Sequence, residues 1–254
     1  MTTLSKRLGL GSRELVSIVG AGGKTTILRV LGRELASTDA GVILTTTTRM
    51  AASQVTDPVC WSDDPVHVEE LLDPGIPLFV LCGTIQGKVT GPRPEAIDNL
   101  FTSTFADYII VEADGARSMS IKAPADDEPV IPTASTTVIV VVGADALGQP
   151  LGTVAHRVDR ITILAGLTDD VVLTPQSAAS ILLHPNGGLK SVPEAARVVM
   201  AVANVTAANE AAATGLAGIL ADHRRVDRSV TMLGPSADVR SATATRTQIL
   251  RPDR

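Results

Sequence analysis

The stretch Leu15–Leu28, LVSIVGAGGKTTIL, constrains this chain more than any other. Leu15, Val16, Ile18 and Val19 form an apolar run that reads as a buried strand. The run breaks into Gly20-Ala21-Gly22-Gly23, and Lys24-Thr25-Thr26 then opens an apolar-periodic helix through Ile27, Leu28, Leu31 and Leu35. Glycines between a strand and a helix leave no Cβ in the turn, so successive backbone N–H groups converge on one point. The helix N-terminus brings its positive dipole end to the same place. Lys24 adds a cation and Thr25 a hydroxyl suited to Mg2+. Gly20, Ala21, Gly22, Gly23, Lys24, Thr25 and Thr26 are therefore the expected nucleotide-phosphate cradle.

The usual phosphate loop runs G-x-x-x-x-G-K-[ST], and its first glycine would fall on position 18, which is Ile here. The shorter form present, G-x-x-G-K-T-T, is similar to the loop of Mur-type ligases. A glycine-rich turn with an incidental lysine would leave the Lys-Thr-Thr at the helix start without a reason.

Composition narrows the partners. A chain of 254 residues buries about 70–75% of its unfolded surface and needs no staples. One domain over residues 1–254 is expected, with irregular substrate-facing regions around 116–135 and 184–193, since no linker interrupts the pattern. Net charge of −5 and 2% aromatic content argue against nucleic acid, which needs a basic stripe or a stacking platform. No signal-peptide pattern or membrane-length apolar stretch is present, so a cytoplasmic protein with no membrane partner is expected. Cys60 and Cys82 lack metal-ligand spacing, and Cys82, at the end of an apolar run, is expected to be buried.

Along the chain, Gly41–Leu44 reads as a second strand running into Thr45-Thr46-Thr47-Thr48-Arg49. Open α/β sheets place ligands at strand carboxyl ends, so Thr47 is a candidate metal-side hydroxyl and Arg49 a candidate γ-phosphate contact. The alternative is a strand end followed by a surface arginine. Leu78–Cys82 is another strand, Gly83–Pro94 a hairpin or mobile loop and Glu95–Phe105 a helix. Tyr108–Gly115 (YIIVEADG) is an apolar strand ending in acids, the arrangement called Walker B, whose carboxylate reaches Mg2+ or its water shell. Glu112 is favoured over Asp114 because it is the first residue past the apolar run, and both stay candidates. Gly115 is placed where a backbone N–H could meet a γ-phosphate.

Residues 116–132 are polar, proline-bearing and too irregular for a helix, and offer Lys122 and Glu128 as substrate-side candidates. Thr137–Val142 is a very apolar strand. His156 and Arg157 come next, and Lys190 sits in the Gly/Pro loop 184–193. Thr174–Leu183 reads as a helix capped by Thr174 with Pro175 at its first position. Ala196–Ala203 and Ser229–Leu233 read as strands, Ala207–Asp222 as a helix, and the tail from Ser241 as polar and loosely ordered. Strands alternating with helices at this spacing predict an α/β fold with a doubly wound, mostly parallel sheet flanked by helices.

With these pieces placed, the sequence resembles the YqeC family, the selenium-dependent hydroxylase accessory (selenium cofactor biosynthesis) proteins. The segments that carry the resemblance are SIVGAGGKTT (17–26), TTTTRM (45–50), IIVEADGA (109–116), IKAPADDEPVIP (121–132), VVGADALG (141–148), His156-Arg157 and GGLKSVP (187–193). The resemblance implies a P-loop NTPase fold and a role in maturing a molybdenum-containing hydroxylase and its labile selenium cofactor. Its partners would then be that hydroxylase or its cofactor-assembly proteins, and its cofactors Mg2+ and ATP or GTP. The E-x-x-G spacing also looks like that of metallocentre-assembly GTPases, which read guanine with N-K-x-D. Asn204-Val205-Thr206-Ala207 lacks both the lysine and the aspartate, which favours ATP. Three functions stay open: an Mg2+-dependent assembly NTPase, a small-molecule kinase or ligase, and a nucleotide-gated scaffold without catalysis.

Overall fold

The computed structural model describes residues 2–234, so the expectation for the tail from Ser241 lies outside the described residues. Eight strands form one central sheet: β1 (Glu14–Gly20), β2 (Val42–Thr46), β3 (Val59–Cys60), β4 (Leu78–Val80), β5 (Tyr108–Glu112), β6 (Thr137–Gly143), β7 (Arg197–Val205) and β8 (Arg228–Leu233). Their spatial order is β8-β7-β6-β1-β5-β2-β4-β3, and every neighbouring pair is parallel.

A parallel sheet must cover both faces, and residue alternation along each strand does this. Val138, Val140 and Val142 of β6 face one apolar cluster, which also takes Ile97 and Leu100 of helix Pro94–Ser103 and Leu216 and Leu220 of helix Glu210–Ala221. Ile139 and Val141 face the other, against Ile27, Leu28, Leu31 and Leu35 of helix Lys24–Ala36. The sheet is therefore doubly wound, with a P-loop type of architecture. After β1 the chain builds β2 to β5 on one side, then crosses to build β6 to β8 on the other. The crevice at the carboxyl end of β1 lies at this switch point, the place where open α/β sheets bind ligands.

Some boundaries differ from the sequence reading. Helix Pro94–Ser103 stops before Phe105, which is 88% exposed, because Thr104 adopts extended backbone. Helix Glu210–Ala221 starts late because the Asn209 carboxamide oxygen accepts from the Thr206 N–H at 2.7 Å and closes a turn first. Cys82 is exposed, not buried: β4 ends at Val80, and the Cys82 N–H donates to the Thr90 carbonyl in a small outer sheet. The helix at Pro175–Leu182 has the expected Thr174 cap, with its hydroxyl accepting from the Ser177 N–H at 3.2 Å.

Phe79 is the largest fully buried side chain and lies on β4 against the same face as helix Lys24–Ala36. Phe79→Ala should cost about 3–5 kcal/mol in urea unfolding, the usual loss for an aromatic cavity. A loss under about 1 kcal/mol would contradict this packing.

Candidate functional site

The carboxyl ends of β1, β5, β6 and β2 converge, and the candidate site is built from the segments that leave these strand ends. After β1, Gly20, Gly22 and Gly23 take φ of +92°, +83° and +136°. A Cβ on Gly20 would stand 2.2 Å from the Val141 carbonyl oxygen, and one on Gly22 only 2.4 Å from the Gly143 nitrogen. Left-handed backbone and flush contact with β6 thus both require glycine here. The buried Ala21 is fixed by its N–H on the Val141 carbonyl at 2.9 Å. Helix Lys24–Ala36 begins immediately afterwards, and its first N–H groups have no partner inside the helix. Thr26 is exposed at that end.

Two acids meet this loop in different ways. Glu112 pairs in register with Ile18 of β1 and Thr46 of β2. Its Oε2 accepts from the Thr25 hydroxyl at 2.7 Å. Burial raises the Glu112 pKa and the Asp114 charge adds to this, against the opposing pull of Lys24 and the Thr25 bond. Asp114 is buried and faces two ammonium groups, Lys24 Nζ at 3.1 Å and Lys122 Nζ at 3.1 Å. Its Oδ2 also accepts from the Gly20 N–H at 3.0 Å. Lys24 donates its own hydrogen bond to the Gly20 carbonyl at 2.7 Å. The half-buried Gly115 presents its carbonyl to Lys122 Nζ at 2.6 Å.

The remaining candidates lie around this centre. Thr47 donates its hydroxyl to the Val130 carbonyl at 2.7 Å, and its N–H to the Glu112 carbonyl at 3.2 Å. Arg49 is exposed in the outer three-stranded sheet, opposite Thr90. Lys122 is buried on a short strand, Ile121–Lys122, that pairs with Ala155–His156. Glu128 joins Lys122 at 2.7 Å and Arg157 at 2.7 and 3.1 Å. Burial would raise the Glu128 pKa, but the bonds and charges of Arg157 and Lys122 win and lower it to about 2. His156 is held below its ordinary pKa by burial and by the cations Arg157, Lys122 and Arg117. Lys190 sits on the Ala125 carbonyl and, at 2.9 Å, on the Asp126 carbonyl. The two irregular regions thus meet, and a cavity of about 520 Å³ lies between them, lined by Asp126, Arg160, Ile163, Leu164, Asn186 and Lys190.

Sequence reasoning did not single out three residues that brace the loop and its surroundings. Asn204 donates its amide to the Gly22 carbonyl and to Asp145 Oδ1, each at 3.2 Å. Ser120 donates to Asp145 Oδ2 at 2.9 Å, and its carbonyl accepts from the Gly143 N–H at 2.7 Å. Gln54 Nε2 reaches the Thr25 hydroxyl at 3.4 Å. Asn204 carried a signal, an asparagine near the end of a late strand, but that signal bears on base reading and not on loop bracing. Gln54 carried none.

The donor set fits a phosphate with Mg2+. The glycines keep the cradle free of side chains, and a hydroxyl beside a carboxylate supplies the hard oxygens that Mg2+ takes. Among the described residues no three His, Cys, Asp or Glu assemble a ready-made metal centre.

Such a loop, on the middle strand of a doubly wound parallel sheet, defines an α/β protein of the P-loop class. Within that class the chain belongs to the YqeC family: the family model described as YqeC protein matches residues 16–159. The chain is also 39% identical over 188 residues to the Escherichia coli (strain K12) protein described as "Uncharacterized protein YqeC", covering 73% of each chain. No solved structure matches it. Among the described residues no helix is long and apolar enough to cross a membrane.

The Glu128 clamp makes a pH prediction. With its folded pKa lowered from 4.5 to about 2, its contribution to stability is full above about pH 4.5 and is lost as pH falls towards 2. The melting temperature of Glu128→Gln should therefore fall less steeply than that of the wild type across this window. Parallel acid profiles would contradict the clamp.

Proposed function

We propose that this chain is an Mg2+-dependent nucleotide-binding NTPase that assists maturation of a selenium-dependent molybdenum hydroxylase. The observation that carries the nucleotide part is the 2.7 Å bond from Thr25 to Glu112 at the mouth of the glycine loop. It pairs the hydroxyl and the carboxylate that a phosphate-bound Mg2+ requires. The amides from Gly22 to Thr25 and the Lys24 ammonium would hold the β- and γ-phosphates. Glu112 would hold the metal side. Bound there, Mg2+ would draw charge off the phosphates, and the chain's own part is positioning and charge stabilisation.

ATP is the preferred nucleotide. The segment Asn204–Ala207 offers no carboxylate to read guanine, and the Asn204 amide is engaged by Gly22 and Asp145. The hydroxylase partner and the selenium cofactor rest on the family resemblance. A second reading, a small-molecule kinase or ligase, is favoured by the cavity between residues 126 and 190, which has the size of a metabolite site. The two separate in steady-state assays: an assembly NTPase turns over slowly alone and faster with the hydroxylase, whereas a kinase turns over only with its small acceptor.

Lys24→Ala should weaken ATP binding by calorimetry about 10- to 100-fold, since a charge-assisted contact to phosphate has no neutral substitute. Unchanged affinity would refute the assignment. Glu112→Gln should leave affinity nearly intact and lower turnover by about 10- to 100-fold. The same result from Asp114→Asn, with Glu112→Gln silent, would reverse the roles of the two acids.

A further inference from the structure

Four charged groups beyond Lys24 form one chain of contacts leading away from the loop. Lys24 Nζ faces Asp114 Oδ1 at 3.1 Å, and Asp114 Oδ2 faces Lys122 Nζ at 3.1 Å. Lys122 Nζ lies 2.7 Å from Glu128 Oε2, which Arg157 also holds at 2.7 Å. The Lys24, Asp114 and Lys122 side chains are no more than 4% exposed, so water does not screen the inner half of the chain.

Both lysines stand 3.1 Å from Asp114, but its two oxygens are held differently. Asp114 Oδ1 is buried without a hydrogen-bond partner. Lys24 opposes it by charge alone and gives its hydrogen bond to the Gly20 carbonyl. Oδ2, by contrast, is anchored by the Gly20 N–H. An anion entering the loop would compete with Asp114 for Lys24 and leave Asp114 to Lys122. Lys122 divides its charge between Asp114 and Glu128, so a stronger hold by one weakens the other.

The outer end of the chain is structural. Ile121–Lys122 pairs with Ala155–His156, and Arg157 is the next residue. Arg160 binds Asp126 at 2.7 Å, which forms part of the wall of the 520 Å³ cavity.

We propose that Asp114 is a coupling acid. Through Lys24–Asp114–Lys122–Glu128–Arg157 it makes occupation of the glycine loop and the packing of residues 119–130 on 154–160 depend on each other. Asp114 is thus a positioning residue that acts through two lysines. The proposal rests on the nucleotide reading only for the identity of the entering anion, ATP. Coupling of this kind is reciprocal, so a change at the outer end must be felt at the loop.

Hydrogen exchange of the full chain tests the coupling without any nucleotide. Lys24→Met should raise exchange several-fold at 119–130 and 154–160, although neither segment neighbours residue 24 in sequence. Exchange altered only within residues 20–36 would overturn the coupling whether or not ATP binds. In the wild type, ATP with Mg2+ should change exchange in the same two segments.

Glu128→Gln supplies the reciprocal test at pH 7. It frees Lys122 for Asp114, loosens Lys24 and should tighten ATP binding several-fold, where a merely structural lesion would weaken it. The gain should vanish in the Asp114→Asn background, because the effect runs through that carboxylate. A gain that persists there is a long-range field effect and overturns the proposal. A wild-type chain that takes up no ATP, while Lys24→Met shows the distal exchange pattern, keeps the coupling and removes the nucleotide reading.

Discussion

The glycine loop and the segment carrying Lys122 share one buried carboxylate at the carboxyl edge of the sheet. Asp114 is 2% exposed, and a bare charge in that position would be far too costly to keep. It is tolerated because Lys24, Lys122 and the Gly20 N–H surround it. Removing one partner from a buried ion pair costs about 3–5 kcal/mol, so each of these groups holds the others in place. The result joins the glycine loop, the end of β5 and the segment 119–130 into a single arrangement. The same bonding leaves Glu112, two residues earlier, to meet the Thr25 hydroxyl alone.

A second buried acid shows that burial by itself does not mark a site. Glu14 begins β1, at the opposite edge of the sheet. It accepts from the Thr136 hydroxyl, the Thr137 hydroxyl at 2.9 Å and the Gly11 N–H at 2.9 Å, and Arg197 stands at 3.0 Å. Burial would raise its pKa, but these bonds and that cation lower it. Glu14 is fully satisfied, has no glycine loop beside it and ties together the starts of β1, β6 and β7. Asp114 differs in two respects: one oxygen lacks a hydrogen bond, and it lies at the edge where chain crossings open a crevice.

Much of this was legible in the sequence because it is carried by long patterns. The apolar runs of β1, β5, β6 and β7, and the glycines feeding Lys24-Thr25-Thr26, each declare an element and its end. The hidden part is carried by pairs of residues. Ile121–Lys122 is too short for a period of two to register, yet its pairing with Ala155–His156 is what brings Lys122 and Arg157 to Glu128. Asn204 and Gln54 reach the loop only through tertiary folding. Cys82 was misplaced because an apolar run does not show where a chain leaves the sheet and joins an outer hairpin.

Whether the glycine loop takes a triphosphate decides the function of this site. The most direct measurement is a crystal structure of the full chain with a non-hydrolysable ATP analogue and Mg2+. The β-phosphate should lie on the amides from Gly22 to Thr25, with the metal beside Thr25 and Glu112 and with Lys24 turned from Asp114 towards phosphate. An empty glycine loop at saturating nucleotide, or a nucleotide bound in another cleft with Lys24 still on Asp114, would contradict this assignment.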